Sequence, residues 1–275
     1  MEFRTIVDIA KPEFRIEPCE ELLFVGSCFA DSIGQRFREE GFPVTVNPFG
    51  TMYNPASVLH TIMRCELSPR IVFLTLGTNH VYRLKETGEI VDNCEKRPQA
   101  LFQEKELSVD ACTDYLQQAI EVLRKRRPDV HVVMTVSPIR YRKYGYHESQ
   151  VSKATLLLAI EQVIANQGIS PSDGIAGHCA YFPAYEIVMD ELRDYRFYAA
   201  DMLHPSAQAV EYIWERLVET YFSPEAKAFL DEWRPLKQTL GHKPFNPDSE
   251  EYRALMDKTM LKVAELRKKY STFAL

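Results

Sequence analysis

Apolar residues along this chain fall into two alternating patterns. Short continuous runs (Leu22 to Val25, Ile71 to Leu76, and Asp129 to Val136 after its first residue) are separated by segments in which apolar residues recur every three or four positions. Continuous runs of this length read as strands covered on both faces, and the three-to-four spacing reads as amphipathic helix. The helical segments begin with Phe29, Ile33 and Phe37, and continue with Val58, Leu59, Ile62 and Met63. Helices are also predicted over about 109–125, over about 151–166 with a stop near Gly168, and after position 204 with Val210, Ile213, Trp214, Leu217 and Val218 inward.

A short strand around Val44 and Val46 and a last one between Cys179 and Val188 complete the set. Val81–Leu84 and Ile90–Val91 around Glu86-Thr87-Gly88 read as a hairpin, and 92–107 as irregular. Residues 1–20 form an irregular lead-in.

Strand and helix thus alternate five times. That order predicts an α/β chain: a three-layer α/β/α sandwich around a parallel sheet of about five strands. Residues 1–223 make up this domain. Residues 224–275 read as a helical C-terminal extension, broken at 241–247. Its Trp233, Leu236, Leu240 and Phe245 call for a partner surface, on their own domain or on a second subunit of a homo-oligomer.

Ligands of open parallel sheets sit beyond the carboxyl ends of the strands. Ser27, Gly50, Asn79 and the loop after Val136 all fall at that edge. Taken singly, each has an ordinary reading: Ser27 a helix cap, Gly50 a turn glycine, Asn79 a strand-end cap, His204 a loop histidine. Together they match the needs of acyl transfer, which are a nucleophile, a base, a group to orient the base, and donors for an oxyanion. Ser27 is the candidate nucleophile, His204 the base and Asp201, three residues earlier, the orienting carboxylate. The N–H groups of Ser27 and Gly50 and the amide of Asn79 are the candidate oxyanion donors. His80, Arg140 and Tyr141 follow strand ends and are candidates for the substrate pocket. Cys28 is a rival nucleophile, read instead as a small side chain facing the core.

The motif Gly26-Ser27-Cys28-Phe29-Ala30, the segments Asn47-Pro48-Phe49-Gly50-Thr51, Gly77-Thr78-Asn79 and Thr135 to Arg140, and Asp201-x-x-His204-Pro205-Ser206 carry a resemblance. Over about 20–220 the chain resembles the GSCFA family, within the SGNH (GDSL-like) hydrolases. The resemblance implies an SGNH/flavodoxin-like sheet. It also implies Ser27, Asp201 and His204 as a triad, with Ser27, Gly50 and Asn79 around the oxyanion. The implied activity is that of a serine esterase or deacylase, with a carbohydrate O-acetyl ester as the analogous substrate. An acyltransferase using the same triad, and a non-catalytic ligand-binding module on the same fold, are the alternatives. The chain departs from the superfamily in lacking an acid between Gly26 and Ser27, and in having His80 where an aspartate is usual.

Composition narrows the partners. With 275 residues, 45% of them hydrophobic, the chain can bury a large core, and its net charge of −6 does not suggest a nucleic acid or an anionic membrane. The exception, Arg124-Lys125-Arg126-Arg127, reads as a solvated helix end. Six scattered cysteines without a Cys-x-x-Cys pair, and no pair of histidines at ligand spacing, suggest neither disulfides nor a metal. No cofactor is expected. Reduced thiols and a charged N-terminus without an apolar leader lead to the expectation of a cytoplasmic protein acting on a small-molecule or carbohydrate ester.

Overall fold

In a computed structural model, which describes residues 4–92, 97–166 and 179–275, five parallel strands form the central sheet. They are β1 (Leu22–Gly26), β2 (Val44–Val46), β3 (Ile71–Leu76), β7 (His131–Val136) and β8 (Cys179–Tyr181), in the order β2-β1-β3-β7-β8. Every residue of β1, β3 and β7 is buried, as the continuous apolar runs require. Side chains alternate between the two faces. Leu22, Phe24, Ile71, Phe73 and Val133 join one core, while Leu23, Val25, Val72, Leu74 and Met134 join the other.

The first core is covered by α1 (Cys28–Glu39) and α6 (Ala207–Tyr221). The second is covered by α2 (Pro55–Arg64), α3 (Val109–Arg126) and α4 (Gly145–Asn166). This is the expected three-layer sandwich. No helix among the described residues is long and apolar enough to cross a membrane.

The chain runs from β1 outward to β2, then returns past β1 to β3. That reversal makes the carboxyl ends of β1 and β3 the switch point of the sheet, where a crevice opens.

Three segments differ from the sequence-based expectation. Residues 102–106, read as irregular, form β6 (Phe102–Glu106), which pairs antiparallel with β4 (His80–Leu84). With β5 (Ile90–Val91), it completes a separate three-stranded sheet. Only Phe102 of β6 is buried, so no alternation marks it. The last strand stops at Tyr181. After Phe182-Pro183 comes the short α5 (Ala184–Glu186), prolonged through Ile187–Leu192 by π-helical turns. Helix α4 begins at Gly145, six residues before its apolar stripe declares itself, and the expected stop at Gly168 lies outside the described residues.

The extension, α7 (Pro224–Leu240) and α8 (Glu250–Lys269), packs on its own domain. Phe229, Trp233, Val263, Leu266 and Phe273 belong to the same core as Phe37 and Phe42. Trp233 Nε1 donates to the Glu39 carbonyl at 3.2 Å. Near the terminus, Thr272 Oγ1 donates to the Cys19 carbonyl and the Ala274 N–H to that of Gly41.

The basic cluster at the end of α3 has a use the sequence did not suggest. Arg126 donates to the carbonyls of Ile62 at 2.7 Å, Met63 at 2.9 Å and Cys65, the acceptors left open where α2 ends. Arg126→Met is therefore expected to cost roughly 1 kcal/mol, while the neighbouring Lys125→Met changes little. Thermal unfolding of the two variants side by side checks this, and equal midpoints would remove the clamp.

Candidate active site

Ser27 stands at the turn from β1 into α1, 2% exposed, with the helix cap as its local role. Its Oγ accepts the Phe29 N–H at 3.3 Å, and its carbonyl accepts that of Ala30 at 2.8 Å. The turn needs Gly26, whose φ is +145°. A Cβ there would lie 2.0 Å from the Thr75 carbonyl oxygen. Thr75 is the register partner of Gly26 on β3, and it engages Ser27 twice. The Ser27 N–H meets the Thr75 carbonyl and Oγ1, each at 2.9 Å, and the two hydroxyls lie 3.1 Å apart.

The loop after β2 is tied to the same turn. Asn47, at φ +44°, accepts the Gly26 N–H on Oδ1 at 2.8 Å and donates from Nδ2 to Asp31 at 3.0 Å. The Gly26 carbonyl accepts the Met52 N–H at 2.8 Å. Asp31, in the first turn of α1, thus braces this loop. The Tyr53 carbonyl then accepts the N–H groups of Gly77 (2.8 Å) and Thr78 (2.9 Å). A Cβ at Gly77 would stand 3.5 Å from that of Ser27, so Gly77, at the head of the loop that carries Asn79, lies beside the serine.

Asn79 is 4% exposed. Its Nδ2 donates to the Leu107 carbonyl at 2.8 Å, while Oδ1 has no partner among the described residues. A flipped amide would set two carbonyl oxygens against each other, so the orientation is determined and, among the described residues, one Nδ2 hydrogen stays unused.

The base lies on a turn between residues 199 and 204, closed by the Ala199 N–H on the His204 carbonyl at 2.7 Å. Asp201 Oδ1 accepts the N–H groups of Leu203 (2.9 Å) and His204 (3.0 Å), and Oδ2 meets His204 Nδ1 at 2.6 Å. These bonds, those from the backbone first, hold the Asp201 carboxyl down to about 2. With Nδ1 on the carboxylate, Nε2 is the atom left to take a proton. Both side chains are 45% exposed, so a ligand can reach the ring. The turn is fastened to the loop after β7, since Arg140 donates from its N–H to the Leu203 carbonyl (3.0 Å) and from Nη1 to that of Met202 (3.2 Å).

The expected residues are only partly brought together. Ser27, Asn79 and the Asp201–His204 turn share the carboxyl edge of the sheet. Among the described residues, however, Ser27 Oγ is hydrogen-bonded to Thr75 and Phe29 and not to His204. Two of the expected oxyanion donors need correcting. The Ser27 N–H continues the parallel ladder onto Thr75, and the Gly50 N–H closes its own turn on the Asn47 carbonyl at 2.9 Å. The Cys28 N–H, at the first position of α1, has no acceptor among the described residues.

Of the pocket candidates, His80 is buried and stacked on Tyr144, centroids 3.9 Å apart; burial pushes its imidazole below the ordinary value. Tyr141 leans on the Tyr144 ring, centroids 5.3 Å apart. Arg140 lies over Tyr146 at 4.2 Å and Tyr198 at 5.4 Å. Three residues that the sequence reading passed over complete the setting: Thr75, Ser152 and Lys153. Lys153 is 3% exposed, and burial pushes its amine down to about 7.

The sequence model of the GSCFA family matches residues 21–68 and 66–217, and that of the GSCFA domain protein C-terminal domain matches 233–275. No curated protein matches the chain. Among solved structures, it is similar to a carbohydrate esterase family 3 protein from Talaromyces cellulolyticus, with 11% identity, a TM-score of 0.45, and coverage of 78% of this chain and 99% of that one. It is also similar to a member of the lipolytic G-D-S-L family from Veillonella parvula, with 12% identity, a TM-score of 0.46, and coverage of 73% and 97%. With both blocks of the family sequence accounted for over most of its length, the chain belongs to the GSCFA family.

Proposed function

We propose that this protein is a serine hydrolase acting on ester bonds. Ser27 Oγ attacks the ester carbonyl while His204 Nε2 takes its proton. The imidazolium, held by Asp201, then protonates the departing alcohol and leaves an acyl-enzyme. Water, deprotonated by the same nitrogen, releases the acid. The observation that carries this reading is the Asp201–His204 pair, oriented at 2.6 Å and presented at the sheet edge that holds Ser27 at its switch point.

Reaction requires Ser27 to turn about its Cα–Cβ bond, away from Thr75 and toward the base, a contact of the kind that tightens when substrate arrives. The donors available to the oxyanion are the second Nδ2 hydrogen of Asn79 and the N–H of Cys28. An O-acetylated carbohydrate is the substrate class, on resemblance alone. An acceptor hydroxyl in place of water would give an acyltransferase with the same residues.

The test is turnover of a short-chain aryl ester, together with labelling by a fluorophosphonate mapped to its peptide. Label on Ser27 is expected, and label elsewhere ends the serine assignment. Asn79→Ala should lower kcat by roughly 10²–10³-fold if its amide holds the oxyanion. The bond to Leu107 accounts for about 1 kcal/mol of stability alone, so a variant that is less stable but equally fast would leave Asn79 a structural role. The second reading, a binding module without turnover, draws on the contact that keeps Ser27 Oγ on Thr75. Absence of both labelling and turnover would favour it.

A further inference from the structure

Three polar residues on one face of α4 hold the loops of the candidate site, and the reaction scheme uses none of them. Ser149, Ser152 and Lys153 are all buried. They continue upstream the stripe Leu156, Ala159, Ile160 and Val163 that packs α4 into the core. Each faces a strand-end loop. Ser152 Oγ accepts the Asn79 N–H at 3.0 Å and lies 3.0 Å from Thr78 Oγ1. Lys153 Nζ donates to the Gly77 carbonyl at 2.7 Å and to that of Ser137 at 2.8 Å. Ser149 Oγ accepts the Tyr141 N–H at 3.3 Å.

The connections join end to end. Gly77, Thr78 and Asn79 follow β3, and Ser137 to Tyr141 follow β7. Arg140, within the second loop, carries the turn of Asp201 and His204 through the carbonyls of Met202 and Leu203.

Packing alone does not account for this arrangement. A buried amine is costly, and an apolar side chain at 153 would extend the stripe without that cost. Two carbonyl oxygens, from the ends of adjacent central strands, converge on one ammonium group instead. The bonds it makes are of the kind that fix loop positions to fractions of an ångström, which catalytic geometry demands.

We infer that Lys153, with Ser152 and Ser149, is a positioning residue that locks the Gly77–Asn79 and Ser137–Tyr141 loops into one frame, and so sets the Asn79 amide against the His204 turn. This deepens the serine-hydrolase reading and rests on it. Lys153 touches neither substrate nor reacting atoms; it acts through Gly77 and Ser137.

The experiment compares wild type with Lys153→Met and Ser152→Ala. Aryl ester turnover is expressed per molecule titrated by fluorophosphonate, and the Asn79 side-chain amide signals are read by NMR, assigned through their loss in Asn79→Asp. The expected result is a kcat lowered by roughly 10–10²-fold with KM within about twofold, together with displaced Asn79 amide signals in both variants. Unchanged kcat per labelled molecule, with lower thermal stability alone, would reduce the cluster to packing and overturn the inference. Ser152→Ala removes only one oxygen, so it carries the test if Lys153→Met fails to fold. If wild type itself has no turnover, the hydrolase reading fails separately. The amide signals then decide, because Asn79 resonances unmoved in both variants overturn the positioning role whatever the chemistry.

Discussion

Ser27→Ala is expected to reduce ester turnover by roughly 10⁴–10⁶-fold while leaving a folded protein. The two effects can be separated by magnitude. The serine also caps α1 through the Phe29 N–H and pairs with Thr75, so its removal costs stability too. A lost cap amounts to about 1 kcal/mol against a usual total of roughly 5–15 kcal/mol, which leaves nearly all molecules native. Loss of folded enzyme therefore cannot imitate loss of a nucleophile. Turnover and fluorophosphonate labelling, with circular dichroism for fold and Ser32→Ala as a neighbouring control, measure both quantities. Retention of more than a few per cent of the activity in Ser27→Ala would mean that another group makes the acyl-enzyme. The half-exposed thiol of Cys28, 3.5 Å from Tyr53 Oη, is the first place to look.

The central strands and the residues at their ends were legible in the chain because both depend on local pattern. A run such as Ile71–Leu76 can be buried on both faces only as an inner strand, and the loop that follows it must then emerge at the carboxyl edge. The Asp201-x-x-His204 spacing was legible for the same reason. Three residues suffice for one carboxylate to reach two N–H groups and the ring.

What escaped depends on pairing across elements. Thr75 is the single polar residue in its run, a visible anomaly. Its engagement of Ser27, however, follows from the β1–β3 register, which no local pattern states. That register also takes the Ser27 N–H away from the oxyanion role. Ser152 and Lys153 were hidden differently. They lie on the same helical stripe as Leu156 and Ile160, so extending that stripe by one turn places them inside, but as polar residues they add nothing to the apolar spacing that marks it. The basic end of α3 is solvated at Lys125 and Arg126, as read, but the open carbonyls that Arg126 also satisfies belong to α2, which no local pattern states. Strand β6 carries one apolar residue in five, so its backbone pairing with β4 and the Glu104–Lys143 ion pair leave no mark in the hydrophobic pattern.

Gly26→Ala is expected to be the most damaging single substitution near the site, and a neighbouring glycine provides its control. Gly26 and Gly50 both have positive φ, +145° and +95°. At Gly50 an added Cβ meets nothing within 4 Å, so alanine there bears only the backbone strain, about 1 kcal/mol. At Gly26 the same Cβ would lie 2.0 Å from the Thr75 carbonyl oxygen and 2.6 Å from Thr75 Oγ1. Thr75 cannot retreat, because β3 is held on its far side by β7, where it pairs with Thr135. Strain and overlap together predict a loss of roughly 3–5 kcal/mol for Gly26→Ala. Urea unfolding of the two alanine variants measures the difference, and similar midpoints would refute the close approach of β1 to Thr75. The molecules of Gly26→Ala that do fold must push Thr75 and Ser27 apart, breaking the contact that holds Ser27 Oγ. Their fluorophosphonate labelling rate, per folded molecule, should then depart from that of wild type, whereas Gly50→Ala, which leaves the β1–β3 contact intact, should preserve the serine's surroundings on the Thr75 side.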